Sequence, residues 1–277
     1  MSRGRVDLHV HSTASDGVLS PSQVVHAALR LGLTTIALTD HDTLAGIAEA
    51  QRAAEGTSLE VIPGVEINSE GEWGDLHFLG YYVDPEALVL RQRLEAMREA
   101  RLSRARRMIE KLAQMGMPLD WAEVRALAEG ESVGRPHIAR ALVNRGYVTS
   151  IQEAFDRFIG NGGPAYVPRL RLTPPEAIDA IRQAGGVAVL AHPAHSGVTD
   201  RIPEFVALGL QGLEVYYPEH SPEEVETLLY LCRQYDLVAT GGSDFHSPDA
   251  DEGAPLGSVF VPREAVEGLK RLAGKRG

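Results

Sequence analysis

The sequence contains one cysteine, Cys232, so no disulfide can form within the chain. Lysine is nearly as scarce, since it occurs only as Lys111, Lys270 and Lys275. No apolar run approaches the roughly 20 residues that a membrane-spanning helix requires, and the opening MSRGRVDLHV lacks the apolar core of a signal peptide. These absences predict a cytoplasmic protein that uses neither disulfides nor a membrane anchor.

Positive charge is also in deficit: 27 lysines and arginines face 38 aspartates and glutamates, which gives a net charge of −11. Proteins that hold long nucleic acids without sequence preference depend on basic surface, so the composition argues against that class of function. Bound cations and a few arginines still allow a local positive site. The composition therefore argues against long nucleic acid but leaves room for a local site that binds an anion.

Eight strand-like runs alternate with helical patterns along most of the chain. This alternation predicts an α/β fold with a parallel sheet, and seven or eight such strands favour a closed barrel. In such barrels the active residues gather at the carboxyl ends of the strands. The predicted strands are 6–11, 34–42, 59–68, 75–83, 185–193, 212–217, 237–246 and 257–261.

Strand-like and helical patterns no longer alternate between residues 85 and 166. The segment EALVLRQRLEAMREARLSRARRMIEKLAQMG is a long charged helical pattern, and shorter helical patterns follow it. At 277 residues the chain has room for a barrel and a small second domain. We therefore predict a discontinuous barrel domain, 1–84 and 167–277, with an all-helical insertion at 85–166 that caps the barrel mouth.

The stretch VDLHVHSTASDG places two histidines one residue apart in the first predicted strand. Residues i and i+2 of a strand point to the same face, so His9 and His11 project side by side. Two neutral imidazoles held in this way form half of a divalent metal site. The alternative is a polar strand edge with both histidines in solvent.

Further metal-ligand residue types occur at or near the ends of the other predicted strands. Any one of them has a plain structural explanation, and His77 alone reads as an ordinary strand histidine. Together with the first pair they supply about nine ligands, enough for two or three ions rather than one closed structural site. They lie in LTDHD (Asp40, His41, Asp42), PGVEI (Glu66), DLHFLGY (His77), LAHPAH (His192, His195) and GGSDFHSP (Asp244, His246).

This order of motifs resembles the polymerase and histidinol phosphatase (PHP) family of metal-dependent phosphoesterases, whose fold is a distorted seven-stranded (β/α)7 barrel. The segments GRPHIARAL and GNGGPAYVP also resemble the subgroup of small bacterial enzymes often called TrpH-like. The resemblance implies hydrolysis of the 3′-phosphate of nucleoside 3′,5′-bisphosphates such as adenosine 3′,5′-bisphosphate. It further implies trimming of short RNA from the 5′ end, with a metal-bridging hydroxide as the attacking group.

The resemblance also implies three metal positions in this sequence, with manganese expected and zinc or iron as alternatives. Glu66 is shared between the first two positions, and Asp40 and Asp42 either orient imidazoles or cap turns. The implied ligand sets are His9, His11, Glu66 and Asp244 for the first ion, Glu66, His77 and His192 for the second, and Asp16, His41 and His246 for the third.

The charge of such a site fits a phosphate monoester. Three divalent ions bring about +6, while Asp16, Glu66, Asp244 and a hydroxide together remove about four, which leaves an excess that suits a dianion. A bridging water can then lose its proton near neutral pH and attack phosphorus in line. A neutral amide would need less charge.

Residues outside the ligand sets are assigned to substrate binding and proton transfer. His195 is the candidate proton donor to the leaving 3′-oxygen and a candidate substrate contact; the alternative is a loop histidine without a role. Arg135 and His137, in VGRPHIA, are candidate phosphate-binding residues, and the alternative is a surface arginine beside a helix N-terminal histidine. Asp244 is taken as catalytic as well as metal-binding.

Three other functions remain open at this stage. Histidinol-phosphate phosphatase is the nearest, although Asp16 stands where such enzymes often carry histidine. A non-catalytic, metal-poor PHP module is a second, and the complete ligand set argues against it. Amide hydrolysis is a third, but no lysine lies near these strands to bridge metals. The metal, the cellular substrate and the oligomeric state are not fixed by the sequence.

Overall fold

The computed structural model describes residues 5–71, 74–128, 133–168, 171–249 and 253–274. The chain divides into two compact units: a barrel unit, Met1–Arg93 with Arg171–Gly277, and a helical unit, Leu94–Leu170. The sequence analysis placed the insertion at 85–166, so the observed division starts later. The reason is that helix α3 runs without a break from Leu88 to Gln114, and the division falls inside it.

Among the described residues, seven strands form one sheet whose spatial order follows the chain order. The strands are β1 (Arg5–Val10), β2 (Leu33–Leu38), β3 (Glu60–Gly71), β4 (Gly74–Tyr81), β5 (Val187–Leu190), β6 (Gly212–Tyr216) and β7 (Val238–Gly241). The pairs β1–β2, β2–β3, β5–β6 and β6–β7 are parallel, whereas β4 is antiparallel to both β3 and β5.

The segment that follows β7 is hydrogen-bonded to β1, which joins the two ends of the sheet. The His11 amide donates to the carbonyl oxygen of Phe245 at 2.9 Å, and the Phe245 amide donates to that of His9 at 3.2 Å. The backbones approach so closely that a Cβ on Gly242 would lie 2.3 Å from the His9 amide nitrogen. Only glycine fits there, and the contact brings the histidines of β1 beside the loop that carries Asp244.

Two helices of the barrel unit begin with a Ser or Thr at the capping position followed by proline. α1 starts at Pro21 behind the capping residue Ser20, and α7 starts at Pro174 behind Thr173. Proline is preorganised for the first helical turn. The Ser20 hydroxyl accepts the Gln23 amide proton, and the Glu176 side chain accepts the Thr173 amide proton. The helices of the barrel unit are α1 (Pro21–Arg30), α2 (Ile47–Ala54), α7 (Pro174–Gln183), α8 (Ile202–Ala207, after a 3₁₀ turn Thr199–Arg201), α9 (Pro222–Gln234) and α10 (Arg263–Leu272).

The helical unit has its own apolar core, in which Leu112 of α3 packs with Ile138 and Leu142 of α5. A chain segment with its own buried cluster behaves as a folding unit, so the helical insertion is more than a loop. Its elements are the larger part of α3 (Leu88–Gln114), α4 (Trp121–Ala126), α5 (Arg135–Asn144) and α6 (Ile151–Ala154), which continues into a π-helical turn, Phe155–Ile159.

Two details of the predicted sheet are wrong. Residues 257–261 form no strand, because the Gly257 amide donates to Asp7 Oδ2 at 2.7 Å and the Ser258 amide closes a turn on Pro255. The sheet is also not wholly parallel, because β3 and β4 are separated by too few residues for a crossover and pair as a hairpin. Among the described residues no helix is long and apolar enough to cross a membrane.

Candidate metal centre

The barrel unit brings together all nine side chains that the sequence analysis assigned to metal binding. Glu66 lies at the middle of the group, with oxygen-to-nitrogen distances of 2.9–3.6 Å to five imidazoles. The sixth imidazole, His246, contacts Asp16 at 3.5 Å, and Asp16 and Asp244 contact other imidazoles at 3.2–3.7 Å. The nine are His9, His11, Asp16, His41, Glu66, His77, His192, Asp244 and His246.

Four of these side chains have the arrangement expected of ligands to one cation. Nε2 of His9 and Nε2 of His11 both lie 3.2–3.3 Å from Glu66 Oε2 and 3.2 Å from Asp244 Oδ1. Donor atoms held about 2.1 Å from one ion at ligand angles of roughly 90–109° are separated by about 3.0–3.4 Å. The spacing of these four atoms therefore fits a common divalent ion.

The hydrogen bonding of the same atoms supports this fit. Among the described residues, His9 Nε2, His11 Nε2, Asp244 Oδ1 and both Glu66 oxygens are buried and make no hydrogen bond. His9, His11 and Glu66 are at most 1% exposed. A buried polar atom without a partner costs about 1–3 kcal/mol, so five such atoms facing one another are best explained by metal coordination.

Glu66 has the geometry of a bridging carboxylate. Its Oε2 faces His9, His11 and His41, the last at 3.0 Å, while its Oε1 lies 2.9 Å from His77 Nδ1. His192 Nε2, which the sequence analysis grouped with His77, is 3.6 Å from the same Oε1. His41, His77 and Glu66 also converge as a group, so His41 stands between the second and third predicted positions.

The third predicted set converges around Asp16, on the loop after β1. Asp16 Oδ1 is 3.5 Å from His246 Nε2, and Oδ2 is 3.7 Å from His41 Nε2. His11 Nδ1 is also 3.5 Å from Asp16 Oδ1, while His11 Nε2 faces Asp244 of the first ligand set. The His11 imidazole therefore lies between the first and third predicted metal positions. Ligation at all three positions remains a prediction; the structure supplies mixed nitrogen and oxygen donors, which suit Mn, Zn or Fe.

The electrostatics of the group are dominated by its imidazoles and carboxylates. Burial lowers the pKa of His11, but contacts with Asp244 and Glu66 outweigh it and raise that pKa to about 10. Burial also lowers the pKa of His9, and the charges of Asp244, Glu214 and Glu66 raise it well above its ordinary value. Protons and metal ions therefore compete for the same nitrogens.

Glu214, in β6, accepts hydrogen bonds from two of the predicted ligands, and the sequence analysis did not identify it. It is fully buried, and its Oε1 accepts a hydrogen bond of 2.9 Å from His9 Nδ1–H. Its Oε2 accepts one of 2.9 Å from the backbone amide of His192, whose φ of 31° is unusual for a residue with a side chain. The first bond fixes the tautomer that turns Nε2 of His9 toward Glu66 and Asp244.

Other supporting contacts differ in part from the expectation. Tyr217 donates its hydroxyl proton to Asp244 Oδ2 at 3.2 Å, which leaves Oδ1 facing the imidazoles. Asp42 accepts from Asn68 Nδ2, which also donates to His41 Nδ1 at 3.1 Å, so Asp42 orients an imidazole indirectly.

Asp40 does not orient an imidazole. It accepts instead from Ser12 and from Ser15, at 2.7–2.8 Å. These bonds fold the loop after β1 onto the end of β2. Asp40 therefore has neither of the two roles considered for it, and through its bonds to that loop it fixes the position of Asp16.

Of the predicted substrate-binding residues, His195 belongs to the barrel unit, whereas Arg135 and His137 belong to the helical unit. His195 is 57% exposed, and its Nδ1 lies 2.9 Å from Glu219 Oε2, with the His192 ring 5.9 Å away. Arg135 is the first residue of α5 in the helical unit, where its guanidinium donates to Asn161 Oδ1 at 2.9 Å. His137 accepts the Gly134 amide proton at Nδ1.

Replacing Glu214 by glutamine is expected to weaken metal binding by about 10–100-fold. A glutamine side chain has a single acceptor oxygen, so it can satisfy only one of the two N–H groups that Glu214 now accepts. Calorimetric titration of the chelator-treated protein with manganese measures the effect. Glu219→Gln, at an exposed glutamate, is the matched control and should bind as the unaltered protein does; equal affinity for both variants would contradict the role of Glu214.

Comparison with known proteins places these residues in a family. The PHP domain profile matches residues 7–114. The chain is 40% identical to a 5′–3′ exoribonuclease of Haemophilus influenzae, covering 88% of this chain and 90% of that protein. It is 35% identical to a 3′,5′-nucleoside bisphosphate phosphatase of Chromobacterium violaceum, covering 88% and 87%.

A protein of known structure also has a similar fold. A protein of Bifidobacterium adolescentis assigned as a metal-dependent phosphoesterase superposes with a TM-score of 0.81 at 34% identity, over 98% of this chain and 97% of that one. Both full-length relatives are enzymes, which sets aside the alternative of a non-catalytic module. Given these matches and the converging His, Asp and Glu side chains, this chain belongs to the PHP family and is a metal-dependent phosphoesterase.

Proposed function

We propose that this enzyme hydrolyses the 3′-phosphate of nucleoside 3′,5′-bisphosphates to give 5′-nucleotides, and that it removes nucleotides from the 5′ end of short RNA. The observation that carries the proposal is the convergence of Glu66, Asp244, His9 and His11 with their donor atoms buried and unbonded within the described chain. The names of the two relatives, a bisphosphate phosphatase and a 5′–3′ exoribonuclease, support the substrate class.

The chain's own residues prepare this site for divalent cations, with manganese as the proposed metal. Such ions supply an acidified water and neutralise charge on the phosphoryl oxygens when bound. Glu66 offers one oxygen to each of two groups of imidazoles, Tyr217 holds one oxygen of Asp244, and Glu214 holds the ring of His9. The donor set is thus oriented before the substrate arrives, which limits reorganisation during the reaction.

The leaving 3′-oxygen of ribose needs a proton, and we assign that step to His195. Nδ1 of His195 lies 2.9 Å from Glu219 Oε2, which leaves Nε2 of the imidazole available. In the proposed step the Nε2 proton moves to the 3′-oxygen as the bond to phosphorus breaks. Arg135 and His137 are proposed to bind the second phosphate.

The substrate assignment is tested by measuring phosphate release with manganese from adenosine 3′,5′-bisphosphate, histidinol phosphate and p-nitrophenyl phosphate. We expect the highest kcat/KM on the bisphosphate. A value no higher than that for the aryl phosphate overturns the substrate assignment, and the highest value on histidinol phosphate favours that alternative. A 5′-phosphorylated trinucleotide, with its 5′-hydroxyl counterpart as control, tests the RNA activity.

Replacing His195 by alanine is expected to lower kcat on the bisphosphate by about 10²-fold. p-Nitrophenolate leaves without protonation, so kcat on the aryl phosphate should change little in the same variant. The ratio of the two kcat values therefore isolates proton donation from any general disturbance of the site. His26→Ala, at an exposed histidine of α1, serves as control, and an equal loss on both substrates would show that His195 is not the donor.

A further inference from the structure

Asp7, in β1, is a buried carboxylate that belongs neither to the predicted ligand sets nor to the proposed reaction. It is 1% exposed, and among the described residues no positively charged side chain forms an ion pair with it. Four donors face it instead: the Ser243 amide and hydroxyl at 2.9 and 2.6 Å, the Gly257 amide at 2.7 Å and the His9 amide at 3.4 Å. Because a buried charge is costly without such donors, the folded chain holds these residues at the carboxylate.

Three of the four bonds come from residues far along the chain. Ser243 and Gly257 lie 236 and 250 positions from Asp7. The order of the sheet begins with β1 and ends with β7, and in the described chain no ladder pairs these two strands. The ends are joined instead by the backbone contact of β1 with residues 242–246, which includes the bridge between Val10 and Phe245. We call this contact the seam, and Asp7 supports it from its own strand.

The seam divides the ligands of the first predicted metal position. His9 and His11 stand on the side of β1, whereas Asp244 stands on the other side, directly after Ser243. Asp244 has a φ of 53°, a conformation that costs free energy in a residue with a side chain unless its surroundings hold it. The two bonds from Ser243 to Asp7 hold the neighbouring residue. The position of the Asp244 carboxylate beside the two imidazoles therefore depends on Asp7.

Closure of the seam and binding of a metal ion favour each other. With the seam open, Asp244 leaves the first position, and the apparent affinity for an ion falls in proportion to the fraction of molecules that are closed. An ion held from both sides of the seam stabilises the closed form in turn. The metal-free protein lacks that contribution, so closure there depends more strongly on the bonds of Asp7.

We propose that Asp7 is a positioning residue that closes the seam in the metal-free protein and so presents Asp244 to His9 and His11 before an ion arrives. A carboxylate suits this role because it accepts hydrogen bonds at both oxygens. An asparagine in the same place keeps one acceptor oxygen and turns its NH₂ group toward the donors of Ser243 or of Gly257. The role concerns assembly of the metal site, so it does not depend on which substrate the enzyme hydrolyses.

The test compares the full-length Asp7→Asn variant with the unaltered protein. Calorimetric titration of the chelator-treated proteins should show manganese affinity lowered by about 10–100-fold in the variant. Hydrogen exchange followed by mass spectrometry should show faster exchange at the seam, the Phe245 amide included, in the metal-free variant, and saturating manganese should restore protection. Exchange in β4 and β5 should stay as in the unaltered protein.

A purely structural aspartate gives a different pattern. Its replacement would speed exchange throughout the barrel unit and lower Tm, with manganese affinity unchanged. Because the proposal requires weaker metal binding and local opening, a manganese affinity equal to that of the unaltered protein overturns it whatever the Tm. Faster exchange at the seam that saturating manganese does not reverse also overturns it, since an ion on both sides must favour closure.

Should Asp7→Asn fail to fold, Ser243→Ala decides. This change removes the hydroxyl that donates to Asp7 Oδ2, so the proposal requires manganese binding to weaken by about tenfold, the effect of one hydrogen bond to a charged group. Glu60→Gln is the matched control, because this carboxylate of β3 also accepts two hydrogen bonds, from Tyr82 at 3.0 Å and from Lys270 at 2.9 Å. It should leave manganese affinity and exchange at the seam unchanged. An equal loss of affinity in Glu60→Gln, or none in Ser243→Ala, overturns the proposal.

Discussion

Replacing Glu66 by glutamine is expected to lower kcat/KM by about a thousandfold or more, because several kcal/mol of transition-state stabilisation depends on the ions that Glu66 is predicted to bridge. Its two oxygens lie between two groups of imidazoles, and no other carboxylate in the described chain has contacts with both His77 and His9. An amide keeps one oxygen, and its NH₂ group offers protons where a ligand is needed. Metal content after gel filtration and steady-state kinetics measure the two consequences.

The same strand supplies a control for this substitution. Glu70 lies four residues further along β3, with its side chain largely exposed and 3.7 Å from Arg171. Glu70→Gln makes the same change of charge and shape, and should keep metal content and kcat/KM near those of the unaltered enzyme. A Glu66→Gln protein that retains its full metal content and activity would falsify the bridging role.

The sequence was most informative where a short pattern sets the geometry by itself. His9 and His11 flank the end of β1, where the two-residue period of a strand applies, and their rings lie 5.1 Å apart. The predicted strand 237–246 would place Asp244 and His246 on one face in the same way, but it is too long, because β7 ends at Gly241 and Asp244 has a φ of 53°. These two side chains consequently join different groups.

The sequence could not identify residues whose role depends on contacts with distant parts of the chain. Glu214 is 205 positions from His9, and nothing local to GLEVYY indicates which side chain it meets. A signal did exist, since a glutamate flanked by Leu213 and Val215 in a buried strand requires a partner. Its identity depends on the closure of the sheet, which sequence periodicity does not encode.

In the helical unit, the sequence likewise could not show which charged side chain becomes buried. α3 carries many arginines, and its pattern indicates only that the helix is amphipathic. Which guanidinium becomes buried depends on where the segment Ala165–Val167 returns to pack against the helix, as the contact from Arg104 to Val167 shows. The prediction that this unit caps the barrel, and that Arg135 and His137 meet substrate there, stays a prediction.

Metal affinity is expected to rise steeply with pH across the neutral range. His9 and His11 must be neutral to coordinate, yet their neighbours raise the pKa of His11 to about 10 and that of His9 well above its ordinary value. Binding one ion at this position therefore expels up to two protons, and the apparent affinity changes by as much as about 100-fold per pH unit. Calorimetry with manganese in buffers of different ionisation enthalpy counts the protons released.

The same titrations predict opposite trends in stability with and without metal. A histidine with a raised pKa stabilises the chelated protein below about pH 6.5, and this contribution is lost as pH rises toward the folded-state value, about 10 for His11. Glu66 and Asp244, whose pKa values are lowered by the imidazoles against the opposing effect of burial, stabilise it above about pH 4.5 and lose that effect in acid.

We therefore expect the Tm of the chelated protein to fall from pH 7 to pH 10, while that of the manganese-loaded protein holds or rises as binding strengthens. His26→Gln, which alters an imidazole remote from the group in sequence and exposed on α1, should reproduce both curves. Parallel curves with no proton release on manganese binding would mean that the imidazoles keep their protons and lie outside the coordination sphere. Glu66 would then be buried among imidazolium groups as their counter-ion, and its replacement would act on folding rather than on metal.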